Sequence, residues 1–304
     1  MNGLTLRLEE FLSELPMESI AEDVASRSGF KVVAIASGSG LKLGAVGEML
    51  QAYVNETHVS LSMIQEHVRA GQRILEVGAG LCLLSLFLKR EGFDVVALEP
   101  ALAGHELFEQ ARLAILEHFS DIPLQVLDCP AQKLDVSAYG SFDLIFSNNV
   151  IEHIPDWQEA MDAMRGVLAE KGYMLHGCPN YTVPYEPHYG VPVFRRLPEL
   201  SRRLFLSKKV DAGIWDSLNF ITYSQLKGYC SRHGLNCTFK KGLLYQALKR
   251  VDEDAVFRQR HQGIVTGIAT LLLRSGLAKL MGKIPPGLAT PMVVRIDMVV
   301  AEGR

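Results

Sequence analysis

Four stretches of this chain place acids, amides or glycines directly after apolar runs, a pattern that can hold a nucleoside. Arg73-Ile74-Leu75-Glu76-Val77-Gly78-Ala79-Gly80 ends in an acid and a Gly-x-Gly turn before entering Leu83-Leu84-Ser85-Leu86-Phe87-Leu88. Gly78 and Gly80, flanking Ala79, lack the Cβ atoms that would keep a ligand off the backbone, and the N–H groups that open the next helix favour electron-rich ligand atoms. Glu99 closes the run Asp94–Leu98 about twenty residues further on, where the two oxygens of a carboxylate can accept from both hydroxyls of a ribose. Asp128, with Cys129 beside it, closes Leu124–Leu127 and can accept from an adenine amino group; Ser147-Asn148-Asn149 closes Phe142–Phe146. Singly, each is equally an ordinary turn or a solvated strand end. All four together describe one ligand-binding edge.

Two histidines have the chemistry to take a proton near neutral pH. His153 follows the fourth apolar run in Asn149-Val150-Ile151-Glu152-His153-Ile154-Pro155, and His188 stands in Tyr185-Glu186-Pro187-His188-Tyr189-Gly190. Either is a candidate general base for an oxygen acceptor; a histidine that caps or packs a turn is the plainer reading of His153. His176 reads as structural. Trp157, Tyr181, Tyr185 and Tyr189 can wall a flat or sugar-like acceptor, or anchor their loop to its own domain.

The elements needed to position these residues can be read from the apolar patterning. From about residue 70, strands and helices alternate, which predicts an α/β fold: a Rossmann-like, doubly wound, mostly parallel sheet with helical insertions. The strands are expected at 73–77, 94–98, 124–127, 142–146 and 172–176, with a helix at about 103–119 and a closing strand over 291–300. Residues 1–60 read as a helical N-terminal cap, with Pro16 breaking it and a short strand near 31–35 before the Ser37–Gly40 loop. Residues 61–304 form the Rossmann-like domain. The alternation stops after Pro179, and the aromatic, Pro-rich stretch 181–220 is expected to be a lid before a capped helix near Thr222. A helical insertion is expected over 245–285.

Composition removes several function classes. The net charge of −3 offers no global basic field, which argues against nucleic acid as a partner. Five cysteines with no Cys-x-x-Cys fit neither a disulfide framework nor a zinc site and point to a reducing cytoplasm. Glu9, Glu10 and Glu14 among spaced leucines do not read as a signal peptide. Ile264 to Leu273 is about half the roughly 20 residues a bilayer crossing needs. The loop holding Lys42 lacks the Gly-Lys-Ser/Thr ending of a P-loop. Arg195, Arg196, Arg202, Arg203, Lys208 and Lys209 make the lid locally basic, which reads as a solvated face or as a seat for an anionic or lipid-linked acceptor with peripheral membrane contact.

A nicotinamide dehydrogenase would carry Gly-x-Gly-x-x-Gly, but Leu83 stands at the third position, and Glu76 and Asp128 have no required part in that plan. The chain resembles instead the class I S-adenosylmethionine-dependent methyltransferases, from about residue 61 to 180 and again after 221. Leu75–Gly80 resembles their first motif, Glu99 the ribose-binding acid, Asp128 the adenine-side acid, and Phe142–Ile145 with Asn149–Ile154 the fourth-strand block. Where many members carry a third glycine, this chain has Cys82. The Glu-His-Ile-Pro stretch resembles small-molecule methyltransferases, including the O-methyltransferases of quinone biosynthesis, and the Pro-Pro-Tyr signature of base-methylating enzymes is absent. The resemblance implies S-adenosyl-L-methionine as cofactor, methyl transfer to a small-molecule acceptor at a hydroxyl oxygen, and cofactor contacts from Glu76, Gly78, Ala79, Gly80, Glu99, Asp128, Cys129, Asn148 and Asn149. The other reading is a catalytically silent S-adenosylmethionine-binding protein with an assembly or regulatory role.

Overall fold

The structure, a computed structural model, describes residues 3–28, 35–36, 41–42, 45–101, 106–206, 213–254, 258 and 264–298. The Ser37–Gly40 loop, most of the strand expected over 31–35, lid residues 207–212 and part of the helical insertion lie outside them. By packing, the chain divides into one unit of residues 1–147 and 162–172 and another of residues 148–161 and 173–304.

The sheet has seven strands: β1 Arg73–Val77, β2 Asp94–Leu98, β3 Gln125–Leu127, β4 Phe142–Asn148, β5 Leu168–Cys178, β6 Leu235–Phe239 and β7 Met292–Met298. Their order is β6-β7-β5-β4-β1-β2-β3. β1 pairs in parallel with β2 and β4, and β2 with β3. These are continuous apolar runs because a parallel strand is covered on both faces: Ile74, Leu75, Val95, Val96, Ala97, Leu144, Ile145 and Phe146 are all buried. The register sets Val77 opposite Leu98, so the glycine turn after β1 and Glu99 after β2 leave the sheet at the same edge. With β2 on one side of β1 and β4 on the other, the order reverses here, the point where open α/β sheets bind ligands.

Helices α1 Gly3–Ser13, α2 Met17–Ser28 and α3 Ala45–Ile64 precede the sheet, as the leucine spacing requires; α4 Leu83–Arg90 and α5 Glu106–His118 follow β1 and β2. Phe11 of α1 stacks on Phe119 at 4.7 Å and meets Phe87 of α4 at 5.8 Å, fixing the N-terminal helices to this unit.

The second unit begins at Asn148, the last residue of β4, and includes the first part of α6 Trp157–Gly166. β5 is longer than its sequence pattern suggests, and β7 runs antiparallel to both β5 and β6. The stretch after β5 is folded, with a short antiparallel pair Tyr185–Glu186 and Val191–Pro192, α7 Pro198–Phe205 and α8 Gly213–Ser217. Tyr181, Val193, Trp215 and Leu218 give it a small core of its own. α9 Tyr223–Arg232 starts in a capping box, with the Thr222 hydroxyl and the Gln225 side chain each accepting from the other's backbone N–H. The insertion holds α10 Leu243–Glu253, α11 Ile264–Arg274 and α12 Ala278–Met281. Among the described residues no helix is long and apolar enough to cross a membrane. All five cysteines are free.

Candidate active site

In the first unit, the turn after β1 is tied to its neighbour strand: the N–H groups of Gly78 and Ala79 both donate to the Leu98 carbonyl, at 2.8 and 3.1 Å. Gly78, Gly80 and Cys82 have φ of 70°, 58° and 62°. This alternation of left-handed residues explains why glycine suits the third position too. A non-glycine there costs roughly 1–2 kcal/mol, and Cys82 bears it while fully buried at the start of α4. A Cβ at Gly80 would come within 2.8 Å of the Tyr53 ring, which pairs with Phe108 at 5.2 Å. The turn is therefore a cradle with an aromatic wall, open at the backbone.

Glu99 reaches across this turn and accepts from the Gly80 N–H at 2.8 Å, while its own carbonyl accepts from Arg112 Nη1 at 2.8 Å. Burial raises the Glu99 pKa, and the Gly80 bond and Arg112 only partly offset it. Asp128 Oδ1 accepts from the Ala101 N–H at 2.7 Å, and Cys129 Sγ accepts from the Tyr139 hydroxyl at 3.8 Å. Glu76 lies deeper: its carboxyl accepts from the buried Ser85 hydroxyl at 2.5 Å and is pushed up to about 8, mainly by burial, with the Glu99 charge adding. It is therefore mostly protonated at pH 7. Two carboxylates, Glu99 and Asp128, thus stand beside a turn without Cβ atoms at Gly78 and Gly80, and their oxygens are of the type that accepts from hydroxyl or amino groups.

In the second unit, Asn149 takes a left-handed backbone (φ 55°) and donates its N–H to the Gly177 carbonyl at 2.9 Å. The one-turn segment Ile151–His153 that follows is pinned by Asn219, whose backbone N–H donates to the Glu152 carbonyl at 2.8 Å. The Asn219 side-chain amide donates to the carbonyls of Ile151 and Ile154, at 2.7 and 2.8 Å. This turn sets His153 Nε2 3.9 Å from Glu152 Oε1, and His188 Nε2 stands 3.8 Å from the same oxygen. The two rings are 5.0 Å apart.

The other ring nitrogens are held from behind. His188 Nδ1 lies 2.6 Å from Glu186 Oε1, and Glu186 also accepts from the Tyr189 N–H at 2.8 Å and the Tyr181 hydroxyl at 3.2 Å. Burial works against the Glu186 carboxylate, yet the contacts from His188 and the Tyr189 N–H outweigh it and hold its pKa below the usual value. His153 Nδ1 lies 2.7 Å from Ser217 Oγ, whose single proton goes to the Ile214 carbonyl at 2.7 Å. With the Ser217 hydroxyl donating to Ile214, the hydrogen-bond pattern assigns the His153 proton to Nδ1. Burial, with the charge of His188 adding, lowers the His153 pKa to about 4, so the ring is neutral at pH 7.

The methyltransferase-domain family matches residues 55–239. A 235-residue stretch is 32% identical to an uncharacterized protein of Mycobacterium tuberculosis, covering 74% of this chain and 78% of that one. The chain belongs to the methyltransferase-domain family. A ubiquinone biosynthesis O-methyltransferase of Azotobacter vinelandii is 27% identical over 191 residues, 62% of this chain and 76% of that protein. Among solved structures, a Mesorhizobium loti S-adenosylmethionine-dependent methyltransferase covers 81% of this chain and 98% of its own, at 15% identity and a TM-score of 0.47. A Haemonchus contortus phosphoethanolamine N-methyltransferase covers 80% of this chain at 15% identity and a TM-score of 0.46, and this chain spans about half (51%) of its length.

Within the domain, Glu76, Gly78, Ala79, Gly80, Glu99, Asp128 and Cys129 all fall in the first unit, whereas Asn148, Asn149, His153 and His188 fall in the second. Trp157 is buried against Tyr229 at 5.6 Å, and Tyr181 is buried in the small core after β5. Tyr185 and Tyr189 are half-buried, and the Tyr189 hydroxyl accepts from the Trp215 N–H at 3.2 Å. Glu152, Glu186, Ser217 and Asn219 join the candidate residues only in three dimensions. The one linear hint is the acid preceding each histidine region, Glu152 next to His153 and Glu186 two residues before His188.

Proposed function

We propose that this protein transfers the methyl group of S-adenosylmethionine to a hydroxyl oxygen of a small molecule. The observation that carries the reading is the meeting of His153 Nε2 and His188 Nε2 at the buried Glu152 carboxyl. A sulfonium donor needs little from the protein beyond orientation and exclusion of water, but an oxygen acceptor must also lose a proton. An oxygen lone pair forms the new bond to the methyl carbon, the carbon–sulfur pair returns to sulfur to leave S-adenosylhomocysteine, and the proton departs at the histidine cluster. The O-methyltransferase name of the ubiquinone-pathway relatives supports oxygen.

In this reading Glu76, Gly78, Ala79, Gly80, Glu99, Asp128, Cys129, Asn148 and Asn149 serve the cofactor, and Tyr185 and Tyr189 meet the acceptor, with Trp157 and Tyr181 backing them. The acceptor is anionic or lipid-linked and the setting cytoplasmic. Supporting an anionic acceptor, a cleft of about 470 Å³ in the second unit is lined by residues that include Tyr181, Thr182, Phe194, Arg195, Arg196 and Thr222. Exposed Phe194, Leu197, Leu200 and Leu204 alternate with the basic residues around it, a surface suited to lipid headgroups.

Incubating the protein with methyl-¹³C S-adenosylmethionine and separate aqueous and lipid metabolite extracts tests the proposal. The expected product carries an O–CH₃ carbon, recovered from the lipid or anionic fraction. Label found only on nitrogen or carbon would refute the choice of oxygen. No label in any fraction, despite tight cofactor binding, would favour the silent binding protein.

A further inference from the structure

The helical insertion between β6 and β7 begins after residue 239, where the match to the family ends. Its charge departs from that of the rest of the chain. No Asp or Glu stands between Asp254 and Asp297, whereas Arg258, Arg260, Arg274, Lys279, Lys283 and Arg295 all do, in a protein whose net charge is −3. Arg295 is held by Asp297 at 2.7 Å, and two acids of the α10 end are met from within that helix, Glu253 by Lys249 at 3.2 Å and Asp254 by Arg250 at 3.1 Å. Arg274, Lys279 and Lys283 are exposed.

Helices α11 and α12 pack against each other and against α10, where Val251, Ala269 and Ala278 are buried. Large apolar side chains stay outside: Ile268 is 53% exposed, Leu271 68%, Leu277 50% and Leu280 51%. Ile268 and Leu271 stand three residues apart on α11 and so share a face of that helix, and Leu277 and Leu280 repeat the spacing at α12. The 11 residues of α11 are about half the roughly 20 that a crossing needs, a length suited to lying along a bilayer surface.

We infer that α11 and α12 dock this protein on an anionic lipid bilayer, with Ile268, Leu271, Leu277 and Leu280 entering the headgroup layer and Arg274, Lys279 and Lys283 meeting lipid phosphates. Charge selects this occupant. A second copy of the chain seated symmetrically on the same face would set these basic residues against their own equivalents, with no acid from 255 to 296 to pair them. Protein interfaces draw their anchors from Trp, Tyr and Arg, whereas Ile264 to Leu288 contains no aromatic residue and presents leucine, isoleucine and lysine. The inference goes beyond the methyl-transfer reading, since docking needs neither methyl donor nor acceptor.

Co-flotation of the whole protein with lipid vesicles tests the inference. Vesicles of phosphatidylcholine mixed with phosphatidylglycerol should carry the protein, phosphatidylcholine alone should not, and rising salt should release it. Lys279→Gln combined with Lys283→Gln should weaken binding by roughly 10–30-fold, and Leu271→Ser combined with Leu280→Ser by on the order of tenfold. All four side chains are exposed, so circular dichroism and thermal unfolding should match the wild type. No binding to the anionic vesicles, or wild-type binding by both double variants, would overturn the inference. Binding lost only on Arg195→Gln with Arg196→Gln would move membrane contact to the cleft after β5 and overturn it too. So would a wild-type dimer, seen in sedimentation, that Leu271→Ser with Leu280→Ser dissociates. Methyl transfer is read separately, so vesicle binding can fail while that reading stands, and the reverse.

Discussion

His188→Ala should lower methyl transfer by roughly 10²–10⁴-fold, the usual contribution of a group that assists proton loss, with S-adenosylmethionine affinity close to wild type. The separation follows from where the residues lie. His188 contacts Glu186 and approaches Glu152, all in the second unit, whereas the turn at Gly78 and Gly80 and the acids Glu99 and Asp128 belong to the first. A structural role alone would appear as lower thermal stability with kcat and KM preserved in the remaining folded protein. Full activity in His188→Ala together with inactive His153→Ala would move the proton-handling role to the turn after β4. If neither substitution mattered, the acceptor would be ionised already or would not be an oxygen.

The second large effect concerns stability and Glu76. Its carboxyl titrates near 4.5 when unfolded and near 8 in the fold, where burial favours the neutral form. A folded-state pKa raised in this way contributes stability that is fully present below about 4.5 and is lost as the pH rises through about 8. The protein should thus lose on the order of a few kcal/mol of this contribution across that window. Glu76→Gln, which mimics the protonated acid and can still accept from Ser85, should remove most of that slope. Chemical denaturation of both proteins at several pH values reads the difference, and parallel curves would show that Glu76 is ionised in the fold.

The sheet was largely legible because buried parallel strands are written as unbroken apolar runs, with the polar residues Glu76, Glu99, Asp128 and Asn148 at or next to the ends of the first four. The capped start of α9 was equally plain, since Thr222 and Gln225 are near neighbours whose chemistry is local. What sequence reading did not reach depends on contacts between distant residues. Ser217 fixes a histidine 64 residues away and Asn219 a turn more than 60 residues away, and neither bond leaves a trace in local spacing. The stretch after β5 reads as a lid from its aromatic, Pro-rich composition where the alternation stops. The packing that orders it comes from Tyr181, Trp215 and Phe220, which meet at ring distances of 5.2 and 5.7 Å across that stretch. Phe220 does so with φ at 53°, a backbone state that its residue type gives no reason to expect. Cys82 is a similar case, an L-residue holding a position whose geometry suits glycine.

Cofactor recognition through the acid after β2 is the claim on which the rest of the account depends, and a calorimetric titration of wild type and Glu99→Ala with S-adenosylmethionine tests it most directly. If the ribose hydroxyls donate to the Glu99 carboxylate as proposed, removing it loses hydrogen bonds to a charged group worth about 1.5–3 kcal/mol and should weaken binding by roughly 10- to 150-fold at unchanged one-to-one stoichiometry. Equal affinity in a folded Glu99→Ala protein, or no binding to the wild type, would contradict the assignment.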